Sequence, residues 1–363
     1  MEGPRSPREN EFPQVLQFLN QNLRAEAKWS ISAEYPTALN SFNLHNMKII
    51  TEDDRILSHA VLKPLIIKSP HVIFKVGAIG SVVTDQQHRG QGLSTQILQQ
   101  CIHDAQKQQC DAVILWTDLY EFYRKLGFEL AGSEVSFVIN EPFQVQEEGL
   151  RFSSDNNVSA DAIYRLYNQH NVNTVRTLDD IKKYLTIPQT KVYTAWSTDN
   201  TLVAYAIEGK GADLGGYIHE WGGNVSKMLA LLSYIRKCKN EAFTIICPEH
   251  ATNLIQNLAK IAEVKNHGFL GMIKIVNFQQ FSAKIKRAFR AEGVSDIVIE
   301  QHQDHYLFGF ANQLYTLNNE LDIVKLLFGP VNYEELDLFN DENLKKLKKV
   351  FPLQFWVWGW DSI

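Results

Sequence analysis

The chain reads as a mixed α/β protein, with a sheet flanked by helices, followed by a smaller α+β region. Two observations lead there. The run Val76-Gly77-Ala78-Ile79-Gly80-Ser81-Val82-Val83 has the continuous apolar character of a buried strand, and Leu93, Ile97, Leu98, Cys101, Ile102 and Ala105 recur as one face of an amphipathic helix. Between them stands Gln87-His88-Arg89-Gly90-Gln91-Gly92, a short loop that ends in two closely spaced glycines. A strand, a glycine loop and a helix N-terminus together favour phosphate, because free backbone N–H groups and the helix dipole both point at an anion. Gly90 and Gly92 let the backbone come close to a ligand and adopt dihedrals that other residues avoid. A P-loop needs a longer Gly-x4-Gly-Lys-Ser/Thr spacing and a dinucleotide fingerprint needs a third glycine, so neither fits.

The remaining elements follow in order. Phe12 to Leu23 has helical periodicity, and Met47–Ile50, Ile56–Leu62 and Ile66 with Val72–Phe74 read as strands. After the motif helix, Asp111–Thr117 is the next strand. Tyr120-Glu-Phe-Tyr123 opens a short helix that Gly127 can end in the left-handed conformation. Glu129–Gly132 and Val135–Ile139 close a first domain, residues 1–150. Residues 151–275 repeat this rhythm: a helix from Ser159 to His170, a hairpin of Lys191–Trp196 and Leu202–Glu208 around Asp199-Asn200, a strand Gly216–Trp221, a helix Met228–Cys238 and a strand Ala242–Cys247. Glu220-Trp-Gly-Gly-Asn224 stands where the glycine loop would be, with Gly222-Gly223 read as a turn. Residues 276–363 differ again. They give a helix Phe278–Phe289, antiparallel strands Asp296–Glu300, His305–Phe310 and Asn312–Leu317, a helix Glu320–Phe328 stopped by Gly329-Pro330, and a short helix Asn343–Val350. The ending carries Trp356, Trp358 and Trp360, too apolar for a solvated tail.

A length of 363 residues suits two or three domains. A net charge of -5 argues against nucleic-acid binding by bulk electrostatics. No apolar run approaches membrane-spanning length, and residues 1–10 lack the apolar core of a signal peptide. The four cysteines show no metal-type Cys-x-x-Cys spacing, so no metal is expected, and Cys101 reads as a small buried thiol. A reducing cytoplasm fits that usage.

Gln87-x-x-Gly90-x-Gly92 resembles the acyl-CoA pyrophosphate signature of the GCN5-related N-acetyltransferase (GNAT) superfamily. Tyr120-Glu-Phe-Tyr123-Arg-Lys-Leu-Gly127-Phe128 resembles the motif that ends the catalytic core of that family. The three-part layout resembles the enhanced-intracellular-survival (Eis) type, in which an active GNAT domain precedes a degenerate one and a C-terminal sterol-carrier-protein-like domain. The resemblance implies tandem GNAT folds, acetyl-CoA as co-substrate and transfer of an acetyl group to a primary amine. Gln87, His88, Arg89, Gly90, Gln91, Gly92, Leu93 and Ser94 would wrap the pyrophosphate, while backbone groups of Val82, Val83 and Thr84 would hold the pantetheine and acetyl carbonyl. Arg124 and Lys125 read as a solvated helix face that could reach outer phosphates.

Tyr123 is the expected general acid, since a phenol with a pKa near 10 is still protonated when a thiolate leaves. The motif strand holds no carboxylate, so the general base stays open between two candidates. Asp118 follows the neighbouring strand, with a helix cap as its plainer role. The α-carboxylate of Ile363 is implied by the Eis-type resemblance and by the apolar ending. The expected partners are acetyl-CoA and an amine acceptor; homo-oligomerisation is left open. The competing reading is a catalytically inactive CoA- or ligand-binding protein with a sensing role.

Overall fold

The computed structural model describes residues 1–145 and 147–363. Thirteen strands form one sheet. They are β1 (Glu2–Arg5), β2 (Met47–Glu52), β3 (Arg55–Lys68), β4 (Ile73–Thr84), β5 (Ala112–Leu115), β6 (Glu129–Ile139), β7 (Arg151–Ser153), β8 (Asn173–Thr174), β9 (Lys191–Trp196), β10 (Leu202–Lys210), β11 (Asp213–Gly223), β12 (Phe243–Pro248) and β13 (Val264–Ile275). The order across the sheet is β1-β2-β3-β4-β5-β13-β6-β12-β11-β10-β9-β7, with β8 on β3.

That order contains an exchange. The pair β4 and β5, parallel at Val76–Ala112 to Ala78–Ile114, has its counterpart in β11 and β12, parallel at Tyr217–Thr244 and Ile218–Ile245. Each pair is joined by a long helix, α3 (Leu93–Lys107) in the first copy and α7 (Val225–Cys238) in the second; the chain's shorter helices before α7 are α1 (Phe12–Leu23), α2 (Ile31–Glu34), α4 (Tyr120–Arg124), α5 (Ala160–Tyr167) and α6 (Leu178–Tyr184). Residues 129–139 read as the closing strand of the first copy, but β6 pairs with β12 of the second. The edge of β5 is instead taken by β13, from Met272–Leu115 to Ile275–Ala112. Because β6 and β13 hold equivalent places in a repeat, each can close either half. Pairing them with each other then fuses two sheets and leaves neither β5 nor β12 as an open edge.

The core follows from strand alternation. One face of the first copy packs Leu57, Ala60, Leu62 and Ile79 under the apolar stripe of α3, including buried Cys101. Its other face packs Ile49, Val61 and Val83 under Val15, Phe18 and Leu19 of α1. In the second copy Ile163 of α5 and Ile181 of α6 cover Val192, Tyr205 and Ile207, while Leu231 and Ile235 of α7 belong to the cluster on the opposite face.

Between β12 and β13 lies α8 (Thr252–Leu258); after β13 come α9 (Phe278–Ala291) and a separate antiparallel sheet of β14 (Ile297–Gln301), β15 (Tyr306–Phe310) and β16 (Gln313–Leu317). Helices α10 (Glu320–Phe328) and α11 (Asp341–Leu347) complete this α+β region. It rests on the first copy: Phe281 of α9 stacks on Phe74 of β4 with centroids 5.7 Å apart. Among the described residues, no helix is long and apolar enough to cross a membrane.

Candidate active site

The site begins where β4 and β5 part. They pair at Val76, Gly77 and Ala78, and beyond Ala78 the end of β4 diverges from β5. On its other side β4 is bulged against β3: Val61 faces Gly80 and His59 faces Val83, so Ser81 and Val82 together stand opposite the single residue Ala60. Ser81 adopts φ 49°, a left-handed conformation that is costly for a residue with a side chain. His59 helps hold it, donating Nδ1–H to the Ser81 carbonyl at 2.9 Å. Burial pushes the His59 imidazole down to about 4 despite that bond, so it stays neutral and its Nε2 is buried without a partner. Of the expected backbone segment, Val83 pairs with His59 and Thr84 with Ser58, which leaves Val82, with the unanticipated Ser81, as the peptide groups released from the ladder.

The loop after β4 is built from its own side chains. Asp85 accepts from the Gln87 N–H at 3.0 Å and from His88 Nδ1 at 2.7 Å. The Thr84 hydroxyl lies 2.7 Å from that of Ser94, tying the end of β4 to the first turn of α3. Gly90 and Gly92 both have φ 79°, and Gly92 is the N-cap of α3 with no side-chain cap. No protein atom lies within 4 Å of a Cβ built on either glycine. The Leu93, Ser94 and Thr95 amides thus head a fifteen-residue helix without a capping side chain. An anion such as a phosphate fits such a place, and Gln87, Arg89 and Gln91 stand on the same loop.

Tyr123 lies at the end of α4, packed edge-on against Phe122 and Phe128 at 5.0 and 5.9 Å. It belongs to the cluster that Val82 packs against. Burial pushes its phenol up to about 12, so it carries its proton at neutral pH. Asp118 is exposed and is not a cap: α4 has Leu119 at its N-cap, and Thr117 Oγ1 accepts from the Leu119 N–H at 3.0 Å. The short, exposed turn 117–119 leaves that task to the nearer hydroxyl. Arg124 is not a free solvated charge either, since it pairs with Glu129 at 2.9 Å and with Glu121 at 2.5 Å.

On the far side of the bulge is a cavity of about 440 Å³. Ser81, Val82 and Trp116 line it from the first copy's strands, Arg24 and Tyr35 from α1 and beyond α2, and Lys210, Asp213 and His219 from the second copy. Arg24 binds Glu34 at 2.8 Å and Asp213 at 2.9 Å, stitching the two copies at the rim. Glu134 of β6 also lines the cavity, and burial pushes its carboxyl up to about 7.

The chain's last residues form the remaining wall. They cross the second copy first. Trp358 lies 5.2 Å from the Trp221 ring and donates Nε1–H to the Val172 carbonyl at 3.1 Å. The Gly359 N–H donates to the His219 carbonyl at 3.3 Å, and a Cβ there would strike the His219 ring. Asp361 accepts from Arg176 Nε and from the Tyr184 hydroxyl, each at 2.9 Å, and Arg176 also pairs with Glu220. Burial alone would raise the Asp361 carboxyl, but the Arg176 and Lys63 charges hold it well below the usual carboxylate range. Buried Lys210 donates to the carbonyls of Gly359 at 2.9 Å and Ser362 at 2.5 Å. Ile363 then ends against β4: a Cβ on Gly80 would lie 2.6 Å from the Ile363 carbonyl carbon, an approach only glycine permits.

Ile363 and Val82 thus share one cavity, Tyr123 packs with Val82 from the neighbouring cluster, and Asp118 stands apart from the cavity lining. Ser81, Glu134 and Lys210 escaped the reading of the sequence. The one signal for Glu134 was its being the single carboxylate within the apolar stretch Leu130–Ile139. Among the described residues, no group of three or more His, Cys, Asp or Glu side chains is placed to hold a metal ion.

The second copy lacks this arrangement. Strand β11 runs through Gly223 straight into α7, whose N-cap Asn224 accepts from the Lys227 N–H at 3.1 Å. Gly222 and Gly223 are therefore strand residues and not a turn. A Cβ on Gly222 would sit 2.5 Å from the Tyr205 ring, so close packing against β10 requires the glycine there.

Residues 4–131 match the family model described as an acetyltransferase (GNAT) domain. No curated protein matches the sequence. Among solved structures, a GCN5-related N-acetyltransferase from Anabaena variabilis superposes with TM-score 0.69 at 14% identity, covering 99% of each chain. Eis1 from Mycobacterium abscessus gives 0.63 at 9% identity, again over 99% of each chain. A GCN5-related N-acetyltransferase from Kribbella flavida gives 0.56 at 13% identity, over 86% of this chain and 82% of that one. At such identities the likeness is one of fold. Residues 4–131 thus carry a GNAT acetyltransferase domain, and over its whole length the chain has the architecture seen in Eis1.

Proposed function

We propose that the protein moves an acetyl group from acetyl-CoA directly to a primary amine of a small molecule or peptide, within the first copy. The observation that carries this reading is the continuity of β4: its bulge opens on the cavity, and its end leads into an uncapped helix N-terminus at Gly90 and Gly92. A CoA thioester laid along that strand has its phosphates at the helix and its carbonyl near the bulge.

The roles follow from the groups present. The first-turn amides of α3 and the loop side chains hold the pyrophosphate. The freed Ser81–Val82 segment offers a backbone N–H to the acetyl carbonyl, where one such donor typically contributes about 3 kcal/mol as charge develops on oxygen. Tyr123, protonated through burial, supplies the proton for the departing thiolate. The carboxylate of Ile363, docked at Gly80, anchors the acceptor's ammonium group. The cavity spans both copies and has aromatic walls in Tyr35, Trp116 and Trp356, which suits an amine carried on a larger apolar or polycationic body.

Release of free thiol from acetyl-CoA, measured across a panel of primary amines, tests this reading. Turnover with a mass gain of one acetyl group on the amine is expected. Tyr123→Phe should then lower kcat ~100-fold with acetyl-CoA affinity little changed. A protein that binds acetyl-CoA yet acetylates none of the panel would support the sensing alternative.

A further inference from the structure

The cavity beside β4 holds a carboxyl group that the roles above leave unused. Glu134 sits on β6, paired on both sides, to Pro248 of β12 and to Gly268 of β13. That double pairing fixes its Cα. Across the ladder the nearest neighbour is Gly268, where a Cβ would make only ordinary contact with Glu134 Oε1, at 3.7 Å. The cavity's cations are otherwise engaged, Arg24 with Glu34 and Asp213, and Lys210 with the carbonyls of the C-terminal residues. Burial is the one influence on the Glu134 carboxyl.

We propose that Glu134 is the catalytic base that takes the proton from the acceptor amine, in the cavity it shares with the bulged Ser81–Val82 segment. This rests on the amine-transfer reading above and goes beyond it. An α-carboxylate with an ordinary pKa near 3.5 is a weak base, whereas a carboxylate held near neutrality takes a proton from an ammonium more readily. The two carboxylates thus divide the work. Ile363 holds the acceptor, and Glu134 deprotonates it.

The step balances. Glu134 takes one proton from the ammonium, and the freed nitrogen pair forms the C–N bond as the C–S bond breaks. The thiolate takes the Tyr123 proton. The second proton lost from nitrogen restores Tyr123, and the proton on Glu134 passes to solvent. The products are the N-acetyl amine, free CoA thiol and one proton.

The other ionisable groups of this region differ in whether they titrate near neutral pH. Cys247 on β12 stays a thiol, pushed up by burial, and His219 on β11 stays neutral, pushed down to about 3 by burial. Tyr35 stays a phenol, raised by burial and by Asp213, while Arg24 keeps its charge. Lys210, lowered to about 7 by burial and by Lys63, titrates in the same range with the opposite sign. Rising pH activates Glu134 and weakens the Lys210 hold on the C-terminal residues.

The experiment compares wild type, Glu134→Gln and a form extended by a few C-terminal glycines, using acetyl-CoA with 1,3-diaminopropane, benzylamine and 2,2,2-trifluoroethylamine. Glu134→Gln is expected to keep acetyl-CoA affinity by calorimetry, to lose ~100-fold or more in kcat with the two basic amines, and to lose the rising limb of the pH profile near 7. Trifluoroethylamine is largely unprotonated at neutral pH, so its penalty should be much smaller; a merely structural role would penalise all three equally. Carbon-13 spectra of glutamate-labelled wild type should show one carboxyl titrating near 7 that is missing from Glu134→Gln. An unchanged kcat, or a rising limb lost only on C-terminal extension, overturns the assignment and moves the base to Ile363. Failure of wild type to release thiol with any amine overturns the transfer reading and this one together.

Discussion

The two copies enter their long helices differently. In the first, Gly90 and Gly92 stand in the left-handed region with open space beside them, and α3 begins without a capping side chain. In the second, Gly222 and Gly223 are pressed against Tyr205 and Ala204, and Asn224 caps α7 with its own amide oxygen. The strands ahead of the helices still match, each bulged and each pairing only briefly with its parallel neighbour. So the splayed strand alone does not make a site. What differs is whether the helix's orphan amides are left for a ligand or satisfied by the chain, and whether the cleft is left open or filled. The second cleft is filled by Trp358 and Gly359, and the same segment then ends in the first.

The sharpest way to break this contrast is Gly92→Glu. A carboxylate at the open N-terminus of α3 should abolish acetyl-CoA binding by calorimetry while the protein stays folded. Gly222→Ala is its mirror: the added methyl meets the Tyr205 ring, so stability should fall while binding persists in the folded protein. Equal loss of binding in both variants would mean that the two loops are not functionally distinct.

The geometry of the glycine loop and the place of Tyr123 on its short helix were legible because they are local: a few residues in sequence fix the turn, the uncapped helix start and the helix end. The exchange of β6 and β13 was not, since either strand satisfies the same alternation and only the pairing across the sheet chooses. Gly222-Gly223 looked like a turn because a glycine pair signals one, and the ring that demands glycine comes from Tyr205 on another strand. Asp118 looked like a cap because aspartate often is one, but the Thr117 hydroxyl took that bond. Glu134 carries no local mark. Its environment is assembled from α1, β4, β11 and the chain's last residues, segments far apart in sequence.

A second contrast lies in pH. Burial keeps four histidines neutral: His59 in the first copy, and His170, His219 and His250 in the second, pushed down to about 4, 4, 3 and 4. Unfolded, each titrates near 6.5, so between there and the folded values the unfolded chain binds more protons. Their contribution is intact above about pH 6.5 and declines as pH falls, by about 1.4 kcal/mol per unit for each fully buried ring. Denaturant midpoints measured from about pH 7.5 down to 4.5 should drop over that window, before the carboxylates of the unfolded chain begin to take up protons near 4. A flat midpoint down to about pH 5 would contradict the buried, neutral assignment.

The smallest expected effect is at Asn224→Ala. Removing the cap should lower stability by about 1 kcal/mol in denaturant melts. It should leave acetyl-CoA bound at one per chain, because the strand runs into α7 without the loop that precedes α3. A second equivalent of bound acetyl-CoA would show that the cap alone silenced the second copy.

The exchanged strands bear on how such a protein could change over time. Once one of two duplicated halves loses its own ligand, it would ordinarily be free to shrink or disappear. Here it cannot, because Met272–Ile275 of the second half are the hydrogen-bond partners of Ala112–Leu115, the strand that flanks the first half's cleft. Deleting the second half would strip the first of an interior strand, and deleting the first would do the same in return. Duplication followed by strand exchange is in that sense a one-way step: each half has become a permanent structural dependant of the other, whether or not it keeps a chemistry of its own.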